Sequence, residues 1–363
     1  MKPNRQKFRG CLLGGAVGDA LGAPVEFMTR AEILARYGEP GIQSFDAAYG
    51  RKGAITDDTQ MTMFTAEGLL QAVSRHRSGV VEEPEMVVHR AYLRWFASQE
   101  LRSTAYSSGE ERSGWLINLP ELRARRAPGS TCLSALASGR VGTPDEHLNN
   151  SKGCGGVMRV APCALVKDWD PFELGCKTAA LTHGHPSGYL AAGALALIIR
   201  NVLDDVVLSD AIGRAVKRLK KEPSHEECVA ALEQAVSLWE RDGREGDVES
   251  LGGGWVAEEA LAIGVYGALA GEKSFAAGIQ LAANHSGDSD STAAIAGNIL
   301  GAMHGEDEVL APDGYRRVEL RAEIVRLADD LLAAWEDEPG WTERYPAEVA
   351  APQVVGGIRP GAG

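Results

Sequence analysis

The 363-residue sequence predicts an all-α protein built as one multi-helix domain. Three observations carry that expectation. Apolar residues recur at helical spacing through most of the chain, and no stretch alternates apolar and polar residues between turn signals as a strand would. Segments dense in alanine and glycine, at 8–21 and 293–300, read as helices that neighbours approach closely. Helix signals stand where such segments begin and end: Thr56 and Ser289 or Ser291 as caps, Pro24 as a stop.

Taken in order, residues 8–21 form the first helix. Glycine inside a helix costs about 1 kcal/mol relative to alanine. The density of Gly10, Gly14, Gly15 and Gly18 therefore puts this helix in the protein centre, tightly packed. Pro24 ends it, and Glu26 follows on the loop between Val25 and Phe27. Alone, such a glutamate reads as a surface residue; it matters only if the loop faces a functional site. Residues 40–55 are glycine-rich and irregular. Helices are expected over 58–74 and 85–99. Residues 103–130 read as a polar, loop-rich excursion with a short helix, and Arg123, Arg125 and Arg126 within it as a solvated face. Further helices are expected over 189–202, 209–221, 224–242, 255–269, 274–283 and 318–336, the third of these opened by a capping box of Ser224 and Glu227. No break in composition marks a linker. Residues 1–345 are read as one domain, and 346–363, rich in Ala, Val, Gly and Pro, as a disordered tail.

Two short acidic runs organise the chemistry: Thr56-Asp57-Asp58-Thr59 and Asp288-Ser289-Asp290-Ser291-Thr292. Each leads into a small-residue apolar helix. A single run of this kind reads as ordinary capping, because Asp is favoured at a helix start. Two such runs brought together would repel strongly unless a cation lay between them. Carboxylate and hydroxyl oxygens are hard ligands, suited to Mg²⁺ or Mn²⁺ rather than Zn²⁺. In Ser151-Lys152-Gly153-Cys154-Gly155-Gly156, three glycines in four residues could converge backbone N–H groups on an anion. That signal is weak alone and matches no dinucleotide or Walker fingerprint. His183 precedes an apolar helix and reads as a cap, a substrate contact or a structural histidine.

The net charge of −13 argues against a broad electrostatic grip on nucleic acid or an anionic membrane. The N-terminus lacks the apolar region of a secretory signal, and the longest apolar run, 189–199, is too short to span a bilayer. The six cysteines are scattered without a C-x-x-C pair, which points to reduced thiols in a cytoplasmic protein.

Five landmarks occur in order: GGAVGDALG at 14–22 with Glu26, TDDT at 56–59, GCGGVMR at 153–159, His183, and GDSDST at 287–292. Together they resemble the ADP-ribosylglycohydrolase family, of the dinitrogenase reductase-activating glycohydrolase and ADP-ribosyl hydrolase type, over roughly residues 5–305. The resemblance implies a compact orthogonal multi-helix domain with a dinuclear site for two Mg²⁺ or Mn²⁺ ions. By motif, Thr56, Asp57, Asp58, Asp288, Asp290 and Ser291 would be metal ligands. Glu26 matches the glutamate that approaches a metal or the scissile bond. Ser151, Lys152, Gly153, Cys154, Gly155, Gly156 and His183 match segments that contact ADP-ribose. The implied activity cleaves the bond between the distal ribose C1 and a modified side chain, N-linked arginine first, with Glu26, Asp57, Asp58 and Asp290 in the chemistry. The implied partner is an ADP-ribosylated protein or small molecule, the product ADP-ribose, and the chain a monomer. O-linked (serine or acetyl) and nucleic-acid-linked ADP-ribose are alternatives, since Cys154 stands where some relatives carry asparagine. Prenyl diphosphate chemistry is a rival, but Asp57-Asp58-Thr59-Gln60-Met61 lacks its third acid. A protein that only binds ADP-ribose is another, and the intact acidic runs argue against it.

Overall fold

Two glycine-rich helices lie so close at the centre that a methyl group does not fit between them. The first is α1 (Arg5–Gly22), near the front of the chain; the second is the twelfth helix, Ser289–His304, near the back. A Cβ built on Gly14 would stand 2.1 Å from the Gly297 carbonyl oxygen, and one on Gly301 1.9 Å from that of Gly10. The helix-propensity cost of these glycines is thus offset by backbone-to-backbone packing, as their density predicts. The structure is a computed structural model that describes residues 4–100 and 114–347. Residues 103–113 of the expected excursion and 348–363 of the expected tail lie outside the described residues.

The described chain is all-α, with one two-stranded hairpin. After α1 come α2 (Arg30–Tyr37), the hairpin β1 (Ala47–Ala48) and β2 (Arg51–Lys52), α3 (Asp57–Arg77) and α4 (Pro84–Ser98). Past the undescribed stretch, two 3-10 turns lead to α5 (Ser130–Ala137), α6 (Pro171–Ala180), α7 (Pro186–Leu203), α8 (Leu208–Leu219) and α9 (Glu226–Asp242). The last part holds α10 (Ala257–Ala270), α11 (Phe275–Ala283), α12 (Ser289–His304), the single turn α13 (Glu306–Val309) and α14 (Arg321–Trp335). Helices α10 and α11 pack on α12, α7 joins α10 and α12, and α14 covers α1 and α3. Helix α7 is long and apolar enough to cross a membrane, but 83% of it is buried inside the fold. It is a core helix, and it starts three residues before the apolar run read from the sequence, at Pro186, and ends at Leu203.

Several local expectations are corrected. Helix α2 opens with a full capping box: Thr29 Oγ1 accepts the Glu32 N–H, and Glu32 accepts the Thr29 N–H. The box expected at Ser224 and Glu227 does not form. Ser224 has a left-handed backbone (φ 56°), and the Glu227 carboxylate is taken by Lys152 and Ser187 instead. Helix α14 starts only at Arg321, because Glu319 turns inward and Leu320 is left-handed (φ 54°). Arg126 is not on a solvated face: it is buried and bonded to Glu319, whereas Arg123 and Arg125 are exposed. Residues 47–52 close as a hairpin with positive φ at Tyr49 and Gly50, the geometry of a tight primed turn.

Candidate functional site

The α1–α12 contact sets two distant parts of the sequence side by side. At one end of α1, Asp19 is fully buried and accepts four hydrogen bonds from three donor groups at the start of α3. The Thr56 N–H donates to both of its oxygens at 3.0 Å, and Thr59 donates from its N–H at 3.2 Å and from its hydroxyl. Asp19 thereby holds the N-terminus of α3, where N–H groups are otherwise unpaired. Thr56 caps α3 as expected, its hydroxyl accepting from the Asp58 N–H at 3.2 Å. This anchors Asp57 and Asp58 in the first turn.

The second acidic run arrives at the start of α12. Its cap residue is Asp288, not Ser289 or Ser291, and no side chain closes the cap. Gly287 has φ 145°, and a Cβ there would meet the Gly253 carbonyl oxygen at 2.0 Å, so only glycine lets the chain turn. The Asp288 N–H donates to that same Gly253 oxygen at 2.9 Å. The two runs then touch: the Ser291 hydroxyl donates to Asp58 Oδ2 at 2.8 Å. Glu26, on the turn after α1, completes the cluster. Single oxygens of Glu26, Asp288 and Asp290 lie within 4.8 Å of one another.

These acids are buried and face each other. Asp57, Asp58, Asp288 and Asp290 are each 5% exposed or less. Burial, and then the charge of Asp290, hold the Asp57, Asp58 and Asp288 carboxyls well above the usual carboxylate range. The same two causes push Glu26 up to about 11 and Asp19 to about 7. Burial also raises Asp290. Among the described residues no lysine or arginine forms an ion pair with any of them, and Glu26 Oε2 is buried without a hydrogen-bond donor. A buried, unpaired carboxylate is costly. The donor set fits a hard divalent cation: carboxylate oxygens, a serine hydroxyl at Ser291, and an orphaned oxygen at Glu26.

The acids form the floor of a cleft of about 370 Å³. Gly153, Cys154, Gly155 and His183 also line it, as does the start of α5, at Gly129, Ser130 and Thr131. The Gly129 N–H donates to Asp57 Oδ2 at 3.4 Å. At the rim, Phe27 and Trp255 stack with centroids 5.3 Å apart at 22°, while 67% and 44% exposed.

The residues singled out in the sequence divide into two groups here. Glu26, Asp57, Asp58, Asp288, Asp290, Ser291, Gly153, Cys154, Gly155 and His183 line the cleft. Thr56, Ser151, Lys152 and Gly156 do not. Thr56 caps α3, and its side chain also hydrogen-bonds Asp290. Lys152 turns away to pair with Glu227 and Glu258 on α9 and α10. Ser151 Oγ shares a hydrogen bond with Thr131 at 3.0 Å and receives the Gly153 N–H. Two N–H groups of the expected nest are therefore spent inside the protein, that of Gly153 on Ser151 and that of Cys154 on the Trp255 carbonyl. Cys154 donates its thiol to Asp288 Oδ2 at 2.7 Å. His185, not His183, caps α7. Sequence reading passed over Phe27, Trp255 and the anchoring role of Asp19. An acid inside a glycine-rich helix was a legible signal for the last; single aromatics on loops carried none.

The sequence profile of the ADP-ribosylglycohydrolase family matches residues 1–340. An uncharacterized protein of Archaeoglobus fulgidus is 32% identical over 82% of this chain and 87% of its own. The ADP-ribosyl-[dinitrogen reductase] glycohydrolase of Rhodospirillum rubrum is 25% identical over 89% of this chain and 95% of its own. The Escherichia coli protein YegU, also uncharacterized, is 29% identical over 87% and 92%. A solved structure described as an ADP-ribosylglycohydrolase-related protein complex superposes with a TM-score of 0.66 at 25% identity, covering 93% of this chain and 99% of that one. With the acidic floor and the helical frame that holds it, these matches show that the chain belongs to the ADP-ribosylglycohydrolase family, hydrolases of ADP-ribose linkages.

Proposed function

We propose that this protein removes ADP-ribose from a modified arginine side chain, cleaving the N-glycosidic bond at the distal ribose C1, and that it needs two divalent cations, Mg²⁺ or Mn²⁺, to do so. The observation that carries this is the floor of buried carboxylates with no protein cation among the described residues. Asp57, Asp58, Asp288, Asp290 and Ser291 would hold the ions, with Thr56 bonded to Asp290. Bound there, the ions would neutralise the acids and supply a positive site for the ribose diol and a bound water.

The remaining roles fall to the chain itself. Water adds its oxygen to C1 as the C1–N bond breaks, and the proton that the water gives up is passed on to the departing guanidine nitrogen. Glu26 is the carboxylate we assign to accept the proton of that water: burial and the charge of Asp290 hold it protonated without cations, cations bound beside it would favour the carboxylate, and its Oε2 is buried without a donor among the described residues. Asp57 and Asp58 are committed to Gly129 and Ser291. The diphosphate suits the part of the cleft lined by the N-terminus of α5 and His183, which offer N–H donors. The stacked Phe27 and Trp255 offer a flat apolar platform for the adenine. A cytoplasmic setting belongs to the same reading, supported by six unpaired cysteines.

The test is a panel of ADP-ribosylated arginine, serine and nucleotide substrates, each with Mg²⁺, with Mn²⁺ and with chelator. Release of ADP-ribose from arginine that stops on chelation is the expected result. Release from serine or nucleotide alone overturns the linkage, and full turnover in chelator overturns the metal requirement.

A further inference from the structure

Behind the cleft wall lies a buried cation that has no counter-charge among the described residues. Arg159 is 1% exposed. Its guanidinium is permanently charged, yet its partners are neutral. Nη1 reaches Met61 Sδ at 3.5 Å and Cys132 Sγ at 3.3 Å; Nη2 donates to the Thr178 carbonyl at 3.4 Å and to Thr182 Oγ1 at 2.7 Å. The Tyr92 ring lies 4.3 Å beneath it. Its Nε is buried without an acceptor among the described residues. A buried charge is normally paired, so this arrangement asks for a reason.

The geometry supplies one. Arginine can only donate, so Thr182 Oγ1 must accept from Arg159. The single threonine proton is then free for another acceptor. The nearest is His183 Nδ1 at 2.8 Å; the Ala179 carbonyl is at 3.5 Å. A His183 Nδ1 that accepts must carry its proton on Nε2. His183 is 2% exposed and lines the cleft, and among the described residues its Nε2 has no hydrogen-bond partner. That atom faces Gly153 and Gly155, since a Cβ on either glycine would come within 3.4 and 3.2 Å of it. The glycines leave this side of the ring uncovered.

We infer that Arg159 is a positioning residue: acting through Thr182, it holds His183 with Nε2–H aimed into the cleft, as a donor to an oxygen of an anionic ligand. The uncompensated charge of Arg159 adds a positive potential to the same wall. Burial, and then that charge, depress His183 to about 3, which keeps the ring from titrating at neutral pH. The cleft thus has a negative floor for cations and an electropositive wall for the ligand's anion. The inference rests on the reading of the cleft as an ADP-ribose site.

Three full-length variants test it: Thr182→Val, which keeps the shape and removes the relay; Thr182→Ser, which restores the hydroxyl; and Arg159→Met. Nitrogen-15 spectra of the labelled histidines report the tautomer directly. Wild-type protein and Thr182→Ser should show His183 as the Nε2–H form, and Thr182→Val and Arg159→Met a mixture. Thr182→Val decides the matter alone where Arg159→Met does not fold. By calorimetry, Thr182→Val should bind ADP-ribose on the order of tenfold more weakly, the factor typical of a hydrogen bond to a charged group, and Thr182→Ser should recover it. An Nδ1–H tautomer in the wild-type protein, or a Thr182→Val variant with wild-type tautomer and affinity, overturns the inference while leaving the proposed function intact. Wild-type protein that binds no ADP-ribose overturns both.

Discussion

Glu319 and the acids of the cleft floor are equally buried, yet the chain treats their charges in opposite ways. Glu319 is 3% exposed and fully partnered. Arg126 forks onto both of its oxygens, Arg51 adds a bond at 2.9 Å, and the Ile55 N–H adds another at 3.2 Å. Arg126 also reaches the Ile55 carbonyl at 2.8 Å, and its own carbonyl accepts the Asp57 N–H at 3.2 Å. This knot ties the loop before α14 to the start of α3. A few residues away, Asp57, Asp58, Asp288 and Asp290 have hydroxyls, a thiol and each other, but no arginine or lysine among the described residues. The same chain that built a neutralised acid at Glu319 left these bare. Their charge is therefore reserved for something that arrives from outside, whereas that of Glu319 is spent on the fold.

Changing one member of each set separates the two. Asp290→Ala should lower metal-dependent ADP-ribose release on the order of 10³-fold, as loss of a preorganised electrostatic contact does. In chelator its thermal stability should equal or exceed that of the wild type, because one repelling charge is gone. A variant that melts lower in chelator would mean Asp290 serves the fold after all. Arg126→Met should behave in reverse. Glu319 would keep only the half-exposed Arg51 and the Ile55 N–H as partners, and losing its buried partner costs up to about 3–5 kcal/mol, read as a lower denaturation midpoint that added Mg²⁺ or Mn²⁺ does not recover. Glu26→Gln sharpens the comparison inside the floor. It keeps the shape and should slow turnover about a hundredfold, with metal binding by titration reduced far less.

The smallest effect is the dependence on pH. Asp19 and Glu26 are raised in the folded protein, from 3.8 to about 7 and from 4.5 to about 11, so the native state holds their protons more tightly than the unfolded chain. Stability they contribute is present at low pH and is lost as pH rises through those windows. The melting temperature of chelated protein, measured against the metal-loaded form, should fall progressively between about pH 5 and about pH 8. His89, His183 and His285 are lowered to about 4, 3 and 4 and act with the opposite sign, losing stability below the ordinary histidine range. They are common to both forms and drop out of the difference. A gap that stays constant with pH would break the assignment of these acids to a cation.

Much of this molecule can be read from its residues, and the failures are physical. Long helices with clear periodicity, such as α3, α7 and α10, emerge to within a few residues. Two short ones do not: α2 and α6 gave no clear periodic signal, although Thr29 and Asp170 cap them by side-chain bonds. The pattern that truly opens α2, a hydroxyl three residues before a glutamate, misleads at Ser224. There the packing of α9 gives Glu227 better partners in Lys152 and Ser187. The acidic runs are legible because both sit at helix starts, where local chemistry shows. Lys152 faces away from the cleft because of ion pairs to residues far along the chain. Arg126 is buried for the same reason. No local pattern foretells either.

The interlocked glycines of α1 and α12 have a consequence for biosynthesis. Asp19 and Glu26 leave the ribosome early, and Asp288 and Asp290 only after most of the chain is made. Since the close contact of Gly14 with Gly297 is what sets them together, the nascent polypeptide cannot assemble a working centre until its last third has emerged. Contacts of such long sequence separation also make for slow folding. A chain cut short before Asp288 lacks two of the four aspartates of the cleft floor.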